Sequence, residues 1–339
     1  MSVKKGKRMI KKLLPVLFCA VFVVMIAAPL GGSAPAQAQM EKPKIGFLPG
    51  VVDPFYQVME LGVNQAVADF GLEVVTQYPE SWNVTVQTPI LESYIARGDL
   101  DYIIIAPVHT EQMVAPLQAA LDAGIKVITV DTYLGDSDYV NGPVTFPISY
   151  IGSDNVEGGR IAARALVDAL GGEGKVYIQN TTPGTSSVED RSKGFQEVIA
   201  QNPGMQLVGE EWCEDDATIA AQQTSAVLQR DPDLAGIFGV NVYSAQGAGN
   251  AVKAAGLEGA VQIVSYDATK DAIENLRNGI VTMVLAQKPY DMGYLGVAFA
   301  MADWNGVTSL PKRVTTGFAI INLDNVDDPA YSRFIYQVP

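Results

Sequence analysis

From Lys44 onward, short runs rich in Val and Ile alternate with longer segments of helical periodicity. This order is typical of parallel sheets covered by helices, because parallel strands need a crossover connection between them. The runs are also too short and too apolar for strands with one solvent-exposed face. We therefore predict an α/β fold. Its clearest strands are predicted at 44–48, 72–77, 101–106, 126–130, 175–179, 205–209, 236–240, 261–265 and 281–286.

Three of the predicted helices have recognisable first turns. Asp53 and Pro54 have the residue types of an N-cap and a first-turn proline, and Thr110 precedes Glu111 as a second candidate cap. The segment 186–189, Ser-Ser-Val-Glu, has the pattern of a capping box.

The order of elements repeats along the chain. Strand, helix, strand, helix and strand lead to Asp131, and the same order leads to Asp267. A length of 339 residues, 48% of them hydrophobic, suffices for two cores. The segment 147–154 is short and partly apolar, unlike a Pro/Gly/Ser linker. We therefore predict two similar doubly wound parallel-sheet lobes that are joined by a hinge.

The first 38 residues have the pattern of a signal peptide. A basic stretch precedes an apolar run at 13–30, and Ala36 and Ala38 are the small residues that a signal peptidase requires. We predict cleavage after Ala38, with an uncleaved anchor as the alternative because the apolar run is long. The mature chain is expected to be a soluble monomer in the periplasm or cell envelope.

Cleavage would also change the charge of the chain. Six basic residues leave, so 23 Lys and Arg become 17 against 37 Asp and Glu, which gives a net charge of −20. A surface this acidic repels phosphates and anionic lipids, which argues against nucleic acid as a partner. Small neutral or cationic ligands stay compatible with it.

Polar and aromatic residues follow many of the predicted strands. Ligands of open parallel sheets bind beyond the carboxyl ends of the strands, so these positions are candidates for a site. Carboxylates, amides and aromatic rings together suit a polyhydroxylated solute such as a sugar. Each residue alone could instead cap a helix or fill a core, but both halves of the chain contribute. The positions are 49–56, 106–107, 131–132, 153–155, Asn241, Tyr266, Asp267 and Gln287.

Arg191 is a separate candidate. It lies near the amino end of the helix that begins at 186–189, where the helix dipole disfavours a cation. Another interaction is therefore expected to hold it there.

Several motifs occur in order and at consistent spacing between about 44 and about 320. They are Asp53-Pro54-Phe55-Tyr56, Val130-Asp131, Ile151-Gly152-Ser153-Asp154-Asn155 with Gly158-Gly159, Gly184-Thr185-Ser186 with Arg191 and Gly194-Phe195, and Tyr266-Asp267. Together they resemble the ribose-binding protein family of type I periplasmic binding proteins.

The resemblance implies two discontinuous lobes that close on a ligand, with three chain crossings near 149–154, 287–289 and 317–320. The lobes would comprise 39–152 plus 288–316 and 153–287 plus 317–339, after a signal peptide at 1–38. It implies delivery of a monosaccharide or polyol to the membrane permease of an ABC transporter. The ligand contacts that it implies are Asp53, Phe55, Tyr56, Asp131, Arg191, Asn241, Tyr266, Asp267 and Gln287.

By the same resemblance, the aromatic rings would enclose the sugar and the polar side chains would bond its hydroxyls. Four positions depart from ribose binders: Pro49, Ala106, Thr132 and Asp215 replace a Ser, an Asn, an Arg and a Phe. Ribose itself is therefore not assumed. Trp82 and His109 lie on loops that could reach the cleft.

Other functions have less support. The chain has one histidine and lacks the HExxH, Walker A and GxSxG motifs, so neither an enzyme nor a cofactor is expected. No metal site is expected, and the acidic cluster at 210–216 is interpreted as a solvated face. A transcriptional regulator would need a DNA-binding segment in place of the signal peptide. The main alternative is a signalling or chemotaxis receptor of the same fold.

The candidate site leads to one expectation about variants. Asp267→Ala and Arg191→Ala are each expected to abolish binding and to leave the unfolding midpoint of the ligand-free protein nearly unchanged.

Overall fold

Strands and helices alternate along residues 41–338, which are the residues that the computed structural model describes. The predicted signal peptide lies outside them. Within this part of the chain the strands are β1 (Lys44–Leu48), β2 (Glu73–Thr76), β3 (Tyr102–Ile105), β4 (Lys126–Val130), β5 (Tyr150–Gly152), β6 (Gly174–Asn180), β7 (Met205–Trp212), β8 (Leu234–Gly239), β9 (Gln262–Tyr266), β10 (Met283–Ala286), β11 (Arg313–Thr315) and β12 (Ala319–Ile321). The helices are α1 (Pro54–Phe70), α2 (Val84–Arg97), α3 (Val114–Asp122), α4 (Asn155–Ala169), α5 (Ser186–Ala200), α6 (Ala217–Arg230), α7 (Val242–Ala254), α8 (Lys270–Arg277), α9 (Pro289–Trp304) and α10 (Pro329–Ser332).

The strands form two sheets of similar topology. Sheet I has the order β11-β5-β4-β3-β1-β2 and is parallel throughout. Sheet II has the order β12-β10-β9-β8-β6-β7 and is parallel except for β12, which runs antiparallel to β10. Lobe I denotes sheet I with α1, α2, α3 and α9, and lobe II denotes sheet II with α4–α8. The predicted α/β fold with two parallel-sheet lobes is confirmed.

The chain passes between the two sheets three times, after β5, after β10 and after β11. Hydrogen bonds join the three crossings. Ser153 Oγ of the first donates to Gln287 Oε1 of the second at 2.7 Å. The N–H of Thr316 in the third donates to the carbonyl of Gly152 in the first at 2.9 Å. The crossings therefore lie side by side as one hinge.

Each sheet is buried on both faces, as its apolar strands predict. In lobe I, α1 and α9 cover one face and α2 and α3 cover the other. In lobe II, α4 and α5 cover one face and α6–α8 cover the other. Full burial of one aliphatic or Phe side chain contributes about 1.5–3 kcal/mol. Among residues 41–338, no helix combines the length and apolarity needed to cross a bilayer.

Two glycines allow α4 and α5 to pack closely. A Cβ on Gly159 would lie 1.9 Å from the carbonyl oxygen of Arg191, and a Cβ on Gly194 would lie 1.9 Å from that of Val156. Any larger residue would separate the helices. The close approach brings Arg191 within hydrogen-bonding distance of Asn155 on α4.

The nine predicted strands exist, but β5, β11 and β12 were not predicted. Each has only three residues, too few for a recognisable pattern. Strand β7 also extends to Trp212 instead of ending at Gly209. Its register with β6 shifts after Leu207, and this bulge absorbs one extra residue before pairing resumes.

The predicted helix starts had mixed outcomes. Asp53 caps α1 as predicted, because its side chain accepts the N–H of Tyr56 at 2.8 Å. The start near Thr110 was wrong: a turn follows, with His109 Nδ1 accepting the N–H of Glu111, and α3 begins at Val114.

The capping box at 186–189 does not form. Thr185 is the N-cap residue of α5 and makes no capping bond with its side chain. The Ser186 hydroxyl instead accepts the N–H of Tyr133 from lobe I at 3.0 Å, and Glu189 Oε1 accepts the N–H of Gly184 at 2.8 Å. Contact between the lobes therefore replaces the local bond.

Candidate functional site

A cavity lies between the two lobes, beyond the carboxyl ends of the strands of both sheets. This is where open α/β sheets bind ligands. Segments that follow β1, β2 and β4 line it from lobe I, and segments that follow β6–β10 line it from lobe II. The lining residues are Val51, Asp53, Phe55, Tyr56, Trp82, Asp131, Thr181, Thr185, Ser187, Val188, Arg191, Asp215, Asn241, Val242, Asp267 and Gln287.

Eight of the nine predicted site residues line this cavity. Tyr266 does not line it, because its ring lies beneath Arg191, with the guanidinium carbon 3.8 Å from the ring centroid. Direct contact of the nine side chains with a ligand stays a prediction. The eight are Asp53, Phe55, Tyr56, Asp131, Arg191, Asn241, Asp267 and Gln287.

The start of α1 builds the aromatic wall of lobe I. Because Asp53 caps the helix, the first turn is fixed, and the rings of Phe55 and Tyr56 meet edge to face at 5.0 Å. The hydroxyl of Tyr56 donates to Asp131 Oδ2 at 2.6 Å. Trp82 stacks on Tyr56, with ring centroids 6.1 Å apart. The wall thus presents aromatic surface with a carboxylate at its edge, as a sugar ring requires.

Asp131 and Asp267 occupy equivalent places in the two lobes. Each follows the last residue of a central strand and has left-handed backbone geometry, with φ of 60° and 69°. The N–H of each still extends the sheet, donating to Ile151 and Leu285 respectively. Left-handed geometry is unusual outside glycine, although Asp tolerates it better than most residues. It turns both carboxyls out of their sheets and into the cavity.

The carboxyl of Asp267 is held on one oxygen only. Gln287 Nε2 and the hydroxyl of Tyr336 each donate to Oδ1 at 2.8 Å. Since Ser153 Oγ donates to Gln287 Oε1, this network connects the first and second crossings to the site. Oδ2 has no hydrogen bond within residues 41–338 and stays available to a ligand.

Arg191 is 2% exposed, and hydrogen bonds hold it near the amino end of α5, as expected from the unfavourable helix dipole there. Its Nε donates to Asn155 Oδ1 at 2.9 Å, and its NH1 donates to the carbonyl of Val240 at 2.8 Å. Burial lowers the pKa of this guanidinium, but electrostatic interactions with Tyr266, Asp267 and Asp131 outweigh burial and raise it. The side chain is therefore both a structural cation and a donor at the cavity.

Four carboxyls share the cavity with this single guanidinium. Burial is the main cause that raises the pKa of each: Asp131 and Asp215 to about 6, Asp53 and Asp267 in the same direction. The charge of Arg191 opposes the rise at Asp131 and Asp267. Such a site favours a ligand with many hydroxyl donors. Within residues 41–338, no three His, Cys, Asp or Glu side chains are arranged to hold a metal ion.

Of the two loop candidates, Trp82 enters the cavity and His109 does not. A Cβ on Gly50 would lie 1.9 Å from the indole of Trp82, so only glycine leaves room for the ring there. His109 lies instead against Gly184 of lobe II. Pro49, Ala106 and Thr132, three of the departures from ribose binders, are absent from the lining.

Asp215 is the fourth departure, and it corrects the interpretation of the acidic cluster. Glu214 and Asp216 are exposed as predicted, but Asp215 turns into the cavity with φ of 62°. Its Oδ1 accepts Asn241 Nδ2 at 2.6 Å. The extension of β7 to Trp212 places this loop at the site. The strand predicted from the sequence ended at 209, so it did not indicate that Asp215 reaches the cavity.

On the side of the cavity away from the hinge, direct hydrogen bonds join the two lobes. Trp82 Nε1 donates to Thr185 Oγ1 at 2.8 Å, and the hydroxyl of Tyr133 donates to Asp190 Oδ2 at 2.9 Å. The N–H of Thr110 donates to the carbonyl of Gly184 at 3.0 Å. The cavity therefore lies between the hinge on one side and these contacts on the other, in a closed arrangement.

Several known proteins are similar to this chain in sequence, and two of them are also similar in structure. A solute-binding protein of an ABC transporter from Agrobacterium vitis, solved with α-D-tagatopyranose, is 43% identical with a TM-score of 0.85, covering 87% of this chain and 100% of that one. A second from the same organism, solved with D-fucose, is 27% identical with a TM-score of 0.80, covering 86% and 100%. The D-allose-binding periplasmic protein of Escherichia coli is 28% identical over 247 residues, which are 72% of this chain and 79% of the relative.

A family model also matches this chain. The periplasmic binding protein domain matches residues 45–307, a range that includes both sheets' central strands and every residue that lines the cavity. With most of the chain matched and the cavity between the two lobes built from the matched residues, the chain belongs to the periplasmic binding protein family.

Proposed function

We propose that this protein captures a monosaccharide in the cavity between its lobes and delivers it to the permease of an ABC transporter. One observation carries the proposal: both lobes contribute hydrogen-bonding side chains to the same cavity. Asp131 and Tyr56 come from lobe I, and Arg191, Asn241 and Asp267 come from lobe II. A ligand that bonds both walls stabilises the closed arrangement over an open one.

Among monosaccharides, we propose a hexose in its pyranose form. The 43% identical relative was solved with α-D-tagatopyranose, which makes D-tagatose the first compound to test. The side chains of Trp82 and Asp215 also bear on which monosaccharide binds. The indole offers a flat surface to C–H groups, whereas the carboxyl of Asp215 accepts a hydroxyl where ribose binders present an aromatic ring.

A thermal-shift screen tests the function. It compares D-tagatose, other ketohexoses, aldohexoses, pentoses, polyols and amino acids at equal concentration. A ligand at a thousandfold excess over its Kd stabilises the native state by about 4 kcal/mol. We expect D-tagatose or another hexose to produce the largest shift, followed by saturation in calorimetry. A screen in which only amino acids raise the midpoint, or in which no sugar or polyol does, contradicts the proposal.

The remaining features of the mature protein are part of the same proposal. We expect cleavage after Ala38 and export to the periplasm or cell envelope, which the intact mass of the recovered protein checks. We expect a monomer in sedimentation. The lobe limits of 39–152 plus 288–316 and 153–287 plus 317–339 are supported by the strands' distribution between the two sheets.

A further inference from the structure

We propose that Tyr336, from the carboxyl-terminal segment that follows α10, is a positioning residue of the ligand site and acts through Asp267. The proposal rests on the proposed function, since it assigns a task at the same cavity. Tyr336 does not line that cavity and follows no predicted strand. No sequence motif identified it.

The backbone of this segment fixes Tyr336 beside the site. Its N–H donates to the carbonyl of Ala268, the residue after Asp267, at 2.8 Å. Upstream, Val326 is 3% exposed in the core of lobe II, and Phe334 and Ile335 pack against the same core. The segment is thus anchored on lobe II, and the tyrosine is 2% exposed.

The hydroxyl of Tyr336 has a defined set of partners. It donates to Asp267 Oδ1 at 2.8 Å and accepts the N–H of Gln287 at 3.2 Å. Gln287 Nε2 donates to the same carboxyl oxygen, so two donors hold Oδ1. The carboxyl is thereby fixed with Oδ2 free for a ligand hydroxyl. Without the tyrosine hydroxyl, one donor remains and the carboxyl can rotate.

The ring of Tyr336 also contacts the opposite lobe. It meets the ring of Phe55 at 6.1 Å between centroids, with the planes 60° apart. One side chain therefore touches the aromatic wall of lobe I, the carboxyl of lobe II and, through Gln287, the second crossing of the hinge. This position couples the orientation of Asp267 to the closed arrangement of the lobes.

A purely structural role for the ring is the alternative, because Tyr336 also belongs to the core of lobe I. Tyr336→Phe separates the two roles, since it keeps the ring and removes only the hydroxyl. Tyr331→Phe is the matched control. Tyr331 lies in α10, just before the segment that carries Tyr336, and packs against lobe II. Its hydroxyl has no hydrogen bond within residues 41–338.

The test measures D-tagatose binding by calorimetry and the pKa of Asp267 in the sugar-free protein by carbon-13 carboxyl NMR, assigned with Asp267→Asn. We expect Tyr336→Phe to raise the Kd about tenfold, because one of the two hydrogen bonds that orient the Asp267 carboxyl is lost. We also expect it to raise the pKa of Asp267, since the hydroxyl stabilises the ionised carboxyl. In the Asp267→Asn background the same change should alter the Kd less than about twofold. Tyr331→Phe should change neither quantity.

The results separate the two proposals. An unchanged pKa of Asp267 in Tyr336→Phe overturns the positioning role, and so does an equal loss of affinity with and without Asp267→Asn. If no sugar binds the unaltered protein while Tyr336→Phe still raises the pKa of Asp267, the proposed function fails and the positioning of this carboxyl stands.

Discussion

Asp215→Asn should stabilise the sugar-free protein at neutral pH and lower its affinity for a sugar. Asp215 is partly buried, and no Lys or Arg in residues 41–338 forms an ion pair with it. Burial raises its pKa from 3.8 to about 6 and the charge of Asp267 adds to the rise, although the bond from Asn241 opposes it. The ionised carboxyl is therefore a cost to the folded state.

The sign and size of this cost follow from the pKa. The folded pKa lies above the unfolded one, so the native state binds the proton more tightly, and its stability falls as the pH rises from about 4 to about 6. A rise of this size corresponds to about 3 kcal/mol at most. The stabilisation that Asp215→Asn gains is smaller, about 1 kcal/mol, because the carboxyl is partly exposed and the amide of the new Asn lacks a partner.

The substitution is conservative in shape. Asn tolerates the left-handed backbone at this position, and its Oδ1 can still accept the bond from Asn241. Thermal unfolding at pH 7.5 and pH 4.0 measures the effect. We expect the midpoint to rise by about 2–4 °C at pH 7.5, with no rise at pH 4.0, where the carboxyl of the original protein is protonated. D-Tagatose affinity at pH 7.5 should fall about tenfold, because a charged acceptor becomes neutral.

Glu214→Gln is the matched control for this prediction. Glu214 lies next to Asp215 with similar backbone geometry, φ of 54°, but its side chain is exposed. We expect no change in its midpoint at either pH. An Asp215→Asn midpoint that does not rise at pH 7.5, or that rises equally at both values, would refute the electrostatic argument.

Two further substitutions test the walls of the cavity. Arg191→Met should lower the free energy of unfolding by about 3–5 kcal/mol in urea titrations, because two buried hydrogen bonds are lost and Asp131 and Asp267 lose their cation. This replaces the expectation from the sequence that the unfolding midpoint of an Arg191 variant stays nearly unchanged, and a loss below 1 kcal/mol would contradict it. Trp82→Phe keeps an aromatic ring but removes the donor to Thr185, so calorimetry should show about three- to tenfold weaker sugar binding with nearly unchanged sugar-free stability; an unchanged Kd would show that this bond does not stabilise closure.

Local sequence patterns were sufficient to predict the strands and the helix start that position the site residues. Asp53 and Pro54 specify the start of α1 without help from distant residues, because a cap and a first-turn proline act within one turn. Asp131 and Asp267 follow apolar strands whose burial fixes the sheet, so their place at the carboxyl edge could be predicted. The short edge strands carry too few residues for such a pattern.

Only the tertiary structure decided which side chains meet. The extension of β7 to Trp212 places Asp215 in the cavity instead of on a solvated face, and contact with Tyr133 replaces the predicted capping bond of Ser186. Trp82 and Thr185 are 103 positions apart, and Tyr336 and Asp267 are 69 apart. Periodicity reports only on neighbours within a strand or a helical turn. Pairings across lobes depend on the packing of both, and therefore on the whole chain.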